Sequence, residues 1–501
     1  MSRAEDTYNL CAMRIHPLDL TIVIVYLLGV TALGVRFRRG QQRAATGDSA
    51  AAGREYFLGG RTAPWWALAF SIVATETSTL TIIGTPAISY AGNLTFIQLV
   101  FGYLIGRVLI VLLLLPGYFR GEFFTAYALI EKRFGGKMRA VAASTFLVTR
   151  AIAEGVRVSA IALVVSVVLG TSERLAVLIV IALTVLYTFE GGMKAVIWTD
   201  VAQLLLYLTG SAVTFFLLLH RIPGGWSEVT QIAATGHKLQ LLDFSWNLAT
   251  KYTFWSGLIG GAFLTMASHG TDQTIVQRLL AAKSEGDSRR ALLTSGVIVL
   301  VQFTVFLLIG VLLFAFAQHW PLLAAGEKTD RILPLFLVRE MPVGLAGLLL
   351  ASIVAVAMSN ASGSLNSLAA SSVLDFARLR GRTTDARQFL RLSRGMTLVW
   401  GFVLMGFGLV KWGPLLETGL TVASLPFGSL LGLFLLGTLD HSANARGALA
   451  GMFAGLAAVL SAFQFTKVAF TWYVLIGAGV TFAIGAAVSR LAKTASDAQN
   501  S

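Results

Sequence analysis

Residues 74–86, Ala-Thr-Glu-Thr-Ser-Thr-Leu-Thr-Ile-Ile-Gly-Thr-Pro, put five threonines, one serine and the carboxyl group of Glu76 inside an apolar segment that also carries Gly84 and Pro86. In lipid every backbone group must be satisfied internally, so such a run is tolerated only where it faces protein or a water-filled cavity. A break in its helix is expected there, with carbonyl oxygens left free. The segment 254–270 is short and holds Gly257, Gly260, Gly261, Thr265, Ser268, His269 and Gly270, so it too is expected to be interrupted. In 343–374, Asn360, Ser364, Ser367 and Ser371 recur at i, i+4, i+7 and i+11 and share one helix face, with Ser359 beside it. Hydroxyl and amide oxygens turned toward free carbonyls form a neutral oxygen cage. Hard cations take oxygen ligands, and a cage without carboxylates suits a monovalent ion that must leave in every cycle. Sodium is the natural candidate.

Charged residues inside apolar segments are costly and mark function or a paired brace. Arg150, Glu154 and Arg157 stand at i, i+4 and i+7, so one carboxylate can bridge two guanidinium groups on one face. Arg107 sits in the middle of its segment without an obvious local partner. Asp200 follows the Gly191-Gly192-Met193-Lys194 turn, where it is placed either to cap a helix or to attract a cation leaving inward. Glu76 keeps proton coupling open as an alternative to sodium. The single Cys11 and six scattered histidines offer no disulfide framework and no metal-ligand spacing. With no paired nucleophile and base, an enzyme is not expected.

The elements that must position these groups follow from composition. Of 501 residues, 56% are apolar and 13% charged, against about 25% charged in ordinary globular chains, and the mean hydropathy is +0.74. The reading is an all-α polytopic membrane protein. Apolar runs at 18–35, 65–90, 95–118, 140–169, 174–189, 196–219, 254–270, 290–317, 343–374, 395–410, 415–437, 447–464 and 470–489 make about thirteen transmembrane helices. The formal charge of +14 does not point to nucleic acid, because the basic residues lie in short clusters between the runs. With the N-terminus outside and the C-terminus cytoplasmic, about 25 of the 39 Lys and Arg fall on the inner side, as the positive-inside rule requires.

Each polar, interrupted segment opens a block of five spans, 65–219 and 254–437. An odd number of spans separates equivalent positions, so the blocks are inverted relative to each other, an arrangement of secondary transporters that bind at the membrane midplane. The whole chain, 1–501, reads as one membrane-embedded transporter domain, with 18–35 as an extra first helix and two helices over 447–489. The expected function is import of a small polar or anionic solute across the cell inner membrane by alternating access, with the bilayer, the solute and sodium as partners and no obligate protein partner evident. A transporter-like sensor is the other class; the tail after 489 leaves it no output domain.

Four stretches are similar to one family: Phe57-Leu-Gly-Gly-Arg61 with Pro64-Trp-Trp66, Gly191 to Asp200, Gly270-Thr-Asp-Gln273 with Gln277-Arg278, and Ser364-Leu-Asn-Ser367 ending in Asp375. Together they make the chain resemble the sodium/solute symporter family, which includes sodium-coupled sugar, proline, sialate, iodide and vitamin carriers. The resemblance implies a LeuT-type core of two inverted five-helix repeats. It further implies a sodium site made by the carbonyls of Ala74, Thr77 and Val356 with the side chains of Ser359 and Asn360, where the family usually has Ser or Thr at both side-chain positions. Asp200 matches the acidic residue thought to help sodium inward. Thr81, Thr265 and Ser268 fall at positions similar to the sugar carriers' substrate contacts, where those carriers have larger groups, and Glu76 is added to this solute set.

Overall fold

The computed structural model describes residues 16–26, 28–29, 58–120, 123, 125–169, 171–188, 193–377, 386–410, 412–413 and 415–500, apart from a few side chains, that of Ser359 among them. The basic cluster after the first segment, Phe57 and the Gly191-Gly192 pair lie outside the described residues, as does most of 18–35 beyond Tyr26. Every described element is a helix, and no strand occurs among the described residues.

The principal elements are α1 (Pro17–Tyr26), α2 (Trp65–Glu76), α3 (Thr79–Ala91), α4 (Ile97–Leu113), α5 (Gly136–Leu169), α6 (Glu173–Thr188), α7 (Met193–Arg221), α8 (Gly261–Gly270), α9 (Gln273–Leu280), α10 (Glu285–His319), α11 (Leu345–Ala377), α12 (Ala386–Gly408), α13 (Leu415–Leu439), α14 (Ala445–Phe465) and α15 (Tyr473–Asn500). Six of them, α7, α10, α11, α13, α14 and α15, contain stretches long and apolar enough to cross a membrane; α2 and α3, bent by 63° across their break, qualify together as a seventh. The protein is therefore an all-helical, multi-pass membrane protein. α5 is 34 residues long and carries three charges along its middle, while α6 is 16 residues.

Helix ends are closed by specific groups, because the terminal N–H and C=O groups lack intrahelical partners. Ser284 caps α10 by accepting from the Asp287 N–H, and Asn444 caps α14 by accepting from Gly447. The segment after α7 forms a short helix, Gly225–Thr235, and then sends Lys238 across to the end of α3, where its ammonium group donates to the carbonyls of Tyr90 and Ala91 at 2.8 and 3.1 Å. The start of α11 is capped from a distance: Asp19 on α1 accepts from the N–H groups of Gly344 and Gly347 at 2.6 and 2.7 Å.

The interruption expected within 254–270 lies just beyond it. The chain is helical from Phe254 to Gly270, widening to a π turn over Ser256–Gly260, and breaks only at Thr271–Asp272. The glycines serve packing instead. At Gly102 a Cβ atom would strike the carbonyl oxygens of Gly257 and Leu258, so α4 lies directly on the backbone of the π turn. Around the first break, α10 packs on α2, α3 and α4, while α7 packs on α2, α10 and α11; α5 sits against α6, α11, α12 and α13.

Candidate functional site

Thr77 and Ser78 are extended, which separates α2 from α3 and leaves the last carbonyls of α2 without helical donors. Ser78 restarts the helix through a reciprocal cap in which its side chain takes the Thr81 N–H and its own N–H donates to Thr81 Oγ1 at 3.3 Å. The Thr77 hydroxyl is clamped by the amide of Gln302 on α10, 2.8 Å from Nε2 and 3.1 Å from Oε1. Tyr207 on α7 donates to the same Oε1 at 3.3 Å. From α11, Asn360 Nδ2 donates to the Thr77 carbonyl at 2.9 Å, while its Oδ1 is buried and meets no hydrogen-bond donor. Ala74 and Val356 are both buried nearby in the chain, and the Ser359 side chain lies outside the described residues. The donor set consists of freed carbonyls and an orphaned amide oxygen, all neutral, which fits a hard monovalent cation.

A cavity of about 130 Å³ adjoins the break. Glu76, Thr81, Thr265 and Ser268, the four residues expected to meet solute, all line it. Arg150, Arg157 and His269 stand in the same wall, and Phe96, Phe303 and Phe427 supply an apolar side. Arg107 was expected to lack a local partner; it is 1% exposed and makes an ion pair with Glu76, 31 residues away in sequence. Its remaining contacts are Ser295 Oγ at 3.2 Å, the Tyr103 carbonyl at 3.2 Å and His269 Nε2 at 3.3 Å. His269 in turn lies 3.2 Å from Glu76 Oε2 and 2.9 Å from Ser268 Oγ. The carboxylate that breaks α2 out of the apolar pattern is thus neutralised by a cation from α4.

The triad on α5 closes as its spacing predicts. Glu154, fully buried, has Oε2 3.5 Å from Arg150 and 3.6 Å from Arg157. Ser364 of the α11 stripe accepts from Arg150 Nε and Nη2 at 2.9 and 2.7 Å and donates to Glu154 at 2.7 Å. The stripe is buried along its length but divides its partners: Asn360 serves the break and Ser364 the triad. The two arginines differ. Arg150 is fastened on three sides, with Nη1 3.6 Å from Asp272, whereas Arg157 is 21% exposed and its Nη1 has no hydrogen-bond partner.

Asp200 does not cap a helix, because α7 already starts at Met193 and Asp200 lies two turns inside it. Its carboxylate, fully buried, accepts from Ser71 on α2 at 2.5 Å and from Arg278 on α9 at 3.0 Å. Arg278 also donates to Ser71 Oγ and to the Thr274 carbonyl, both at 2.8 Å. At the second break, Asp272 caps α9 through the Thr274 N–H at 2.8 Å. The freed carbonyls of Gly270 and Thr271 accept from the hydroxyls of Tyr118 at 2.6 Å and Tyr127 at 3.3 Å.

Gln302, Arg278, Tyr118 and Tyr127 went unassigned in the sequence. Arg278 stood in one of the stretches that carry the family resemblance, and Gln302 left a signal as an isolated amide in an otherwise apolar stretch of α10.

Comparison with known proteins bears on the family and the fold. The profile of the sodium:solute symporter family matches residues 56–455. The sodium/sialic acid symporter of Proteus mirabilis is 31% identical over 482 residues, covering 93% of this chain and 94% of its own. The human sodium/iodide cotransporter is 30% identical over 452 residues, covering 88% of this chain and 68% of its own. A solved structure of a Na+-coupled sialic acid symporter in a substrate-bound, outward-open state is similar with a TM-score of 0.87 at 29% identity, over 95% of this chain and 98% of that one.

Proposed function

The chain belongs to the sodium:solute symporter family, and from that premise we propose that this sodium-coupled symporter carries a small organic anion. Its relatives are sodium-driven transporters and not enzymes. The observation that carries the solute class is Arg157, in the wall of the cavity beside the first break, whose Nη1 lies 3.6 Å from Glu154 Oε2 and makes no hydrogen bond. A buried guanidinium with an unmade bond favours an anionic acceptor, and a carboxylate matches its planar fork.

Size narrows the class. A cavity of about 150 Å³ holds one benzene ring, so about 130 Å³ suits a solute with on the order of five or six non-hydrogen atoms. The hydroxyls of Thr81, Thr265 and Ser268 serve its polar groups, and the phenylalanines its carbon skeleton. Charge supports coupling: Glu76 balances Arg107, while Glu154 and Asp272 balance Arg150 and Arg157. An anion and a sodium ion then enter as a neutral pair. Sodium is assigned to the carbonyls of Ala74, Thr77 and Val356 with Ser359 and Asn360, and Asp200 to its inward release.

The architecture in this reading is one domain of about thirteen spans, with inverted repeats over 65–219 and 254–437 working by alternating access in the cell inner membrane, N-terminus outside and C-terminus inside. In a Cys11-free background, Ala234→Cys labels with an impermeant thiol reagent in intact cells and Lys283→Cys does not. The reverse pattern inverts the orientation.

Uptake into proteoliposomes decides the solute. Radiolabelled carboxylates of this size accumulate under a sodium gradient, Arg157→Gln raises their KM about 10-fold or more, and uncharged analogues of equal size accumulate poorly. Uncharged analogues taken up equally well, with Arg157→Gln unchanged, remove the anion reading. Accumulation driven by a proton gradient in potassium buffer removes the sodium site.

A further inference from the structure

We infer that Asn360 is a reversible stopper on the first break, one whose amide caps the Thr77 carbonyl and must turn over before a monovalent cation can bind against that oxygen. The inference rests on the sodium site proposed above and concerns what position 360 does to it.

An asparagine amide separates its two functions onto opposite atoms: the nitrogen only donates and the oxygen only accepts. A hydroxyl combines both on one atom and satisfies either neighbour by a small rotation. In this structure Nδ2 is committed to the Thr77 carbonyl at 2.9 Å, and Oδ1 is left buried without a donor. Turning the amide over about its Cβ–Cγ bond exchanges the two atoms and sets Oδ1 against the Thr77 oxygen. Two oxygens so placed repel unless a cation lies between them. Each orientation is therefore right for one occupancy and wrong for the other.

The surroundings leave the amide as the part that moves. The peptide that carries the Thr77 carbonyl is held through its N–H, that of Ser78, which donates to Thr81 Oγ1 at 3.3 Å, while the Thr77 N–H is bonded to the Val73 carbonyl at 2.8 Å and the Thr77 hydroxyl is held by Gln302. α11 cannot rotate to carry Asn360 away, because one turn further Ser364 is gripped by Arg150 and Glu154. A cation entering the site displaces one intramolecular hydrogen bond that a serine at 360 would not require. Such a bond corresponds to a factor of about 2 to 12 in an equilibrium constant, so the asparagine holds sodium that much more weakly than a serine would.

The test uses the purified full-length protein in detergent, with sodium titrated against potassium at constant ionic strength and the melting temperature recorded, since a ligand bound only by the folded state raises it. Asn360→Ser is expected to reach half-maximal stabilisation at about 2- to 12-fold less sodium than the parent. A second readout follows the amide itself. With the seven asparagines labelled with ¹⁵N, the side-chain NH₂ pair that vanishes in Asn360→Ser identifies position 360, and it is expected to shift with sodium and not with potassium. An unmoved pair in a parent that sodium stabilises, or an Asn360→Ser variant needing as much sodium as the parent or more, overturns the stopper and leaves the sodium site standing. If sodium stabilises neither protein beyond potassium, the sodium site itself falls and the stopper with it.

Discussion

Two breaks interrupt the polar helices, and they are closed by different chemistry. At 77–78 the free carbonyl meets an amide that can present either a donor or an acceptor. At 271–272 the free carbonyls meet the phenols of Tyr118 and Tyr127, and the cap residue Asp272 adds a carboxylate shared with Arg150. A few residues further, Arg278 bolts α9 to Asp200 and Ser71. Both phenols belong to fully buried side chains packed against Phe434, and each spends its proton on a backbone carbonyl. The first break is exchangeable and the second is locked, so similar departures from helix geometry serve binding in one case and bracing in the other.

The largest effect that tests this contrast is at the lock. Arg278→Met leaves Asp200 buried without its guanidinium partner, and losing one partner of a buried pair costs about 3–5 kcal/mol; thermal unfolding in detergent should show it. The double variant Arg278→Met with Asp200→Leu should recover much of that loss, and a double variant as unstable as the sum of both singles would mean the pair is not the brace. Next in size is Tyr118→Phe, which leaves the Gly270 carbonyl unmet at a cost of about 1–3 kcal/mol. Stability should fall while the sodium concentration for half-maximal stabilisation stays put. A shift in sodium requirement would mean that both breaks bind. The smallest is Thr81→Val at the exchangeable break, where one cap contact is worth about 0.5–1.5 kcal/mol. Because Thr81 also lines the cavity, solute KM should move more than the unfolding midpoint does, the reverse of the Tyr118 result.

The sequence disclosed what depends on local spacing. Helix positions, the break among the threonines after Ala74, the α5 triad and the inward stripe of α11 follow from periodicity and from polar residues in apolar surroundings. Partners far apart in the chain were not legible: Glu76 with Arg107, Thr77 with Gln302, Asp200 with Arg278, Tyr118 with Gly270. Periodicity states which face a residue occupies and is silent on what that face meets. The displaced second break has the same origin. Gly257, Gly260 and Gly261 read as helix breakers, yet they remain helical and let other backbones approach, a use that only the neighbouring helix reveals. The four polar positions expected to meet solute, on α2, α3 and α8, converge on one cavity.

Asp19 gives the first helix an importance in biosynthesis that its short described length conceals. Its carboxylate caps amides 325 and 328 residues later in the chain, so during synthesis it waits, unpaired, while ten or so further helices are made. Only when α11 is delivered do the two ends of that contact meet. The helix that bears Asn360 therefore acquires its final N-terminal cap late, from the earliest described segment, and a ribosome stalled before residue 344 leaves behind a charged group with no destination.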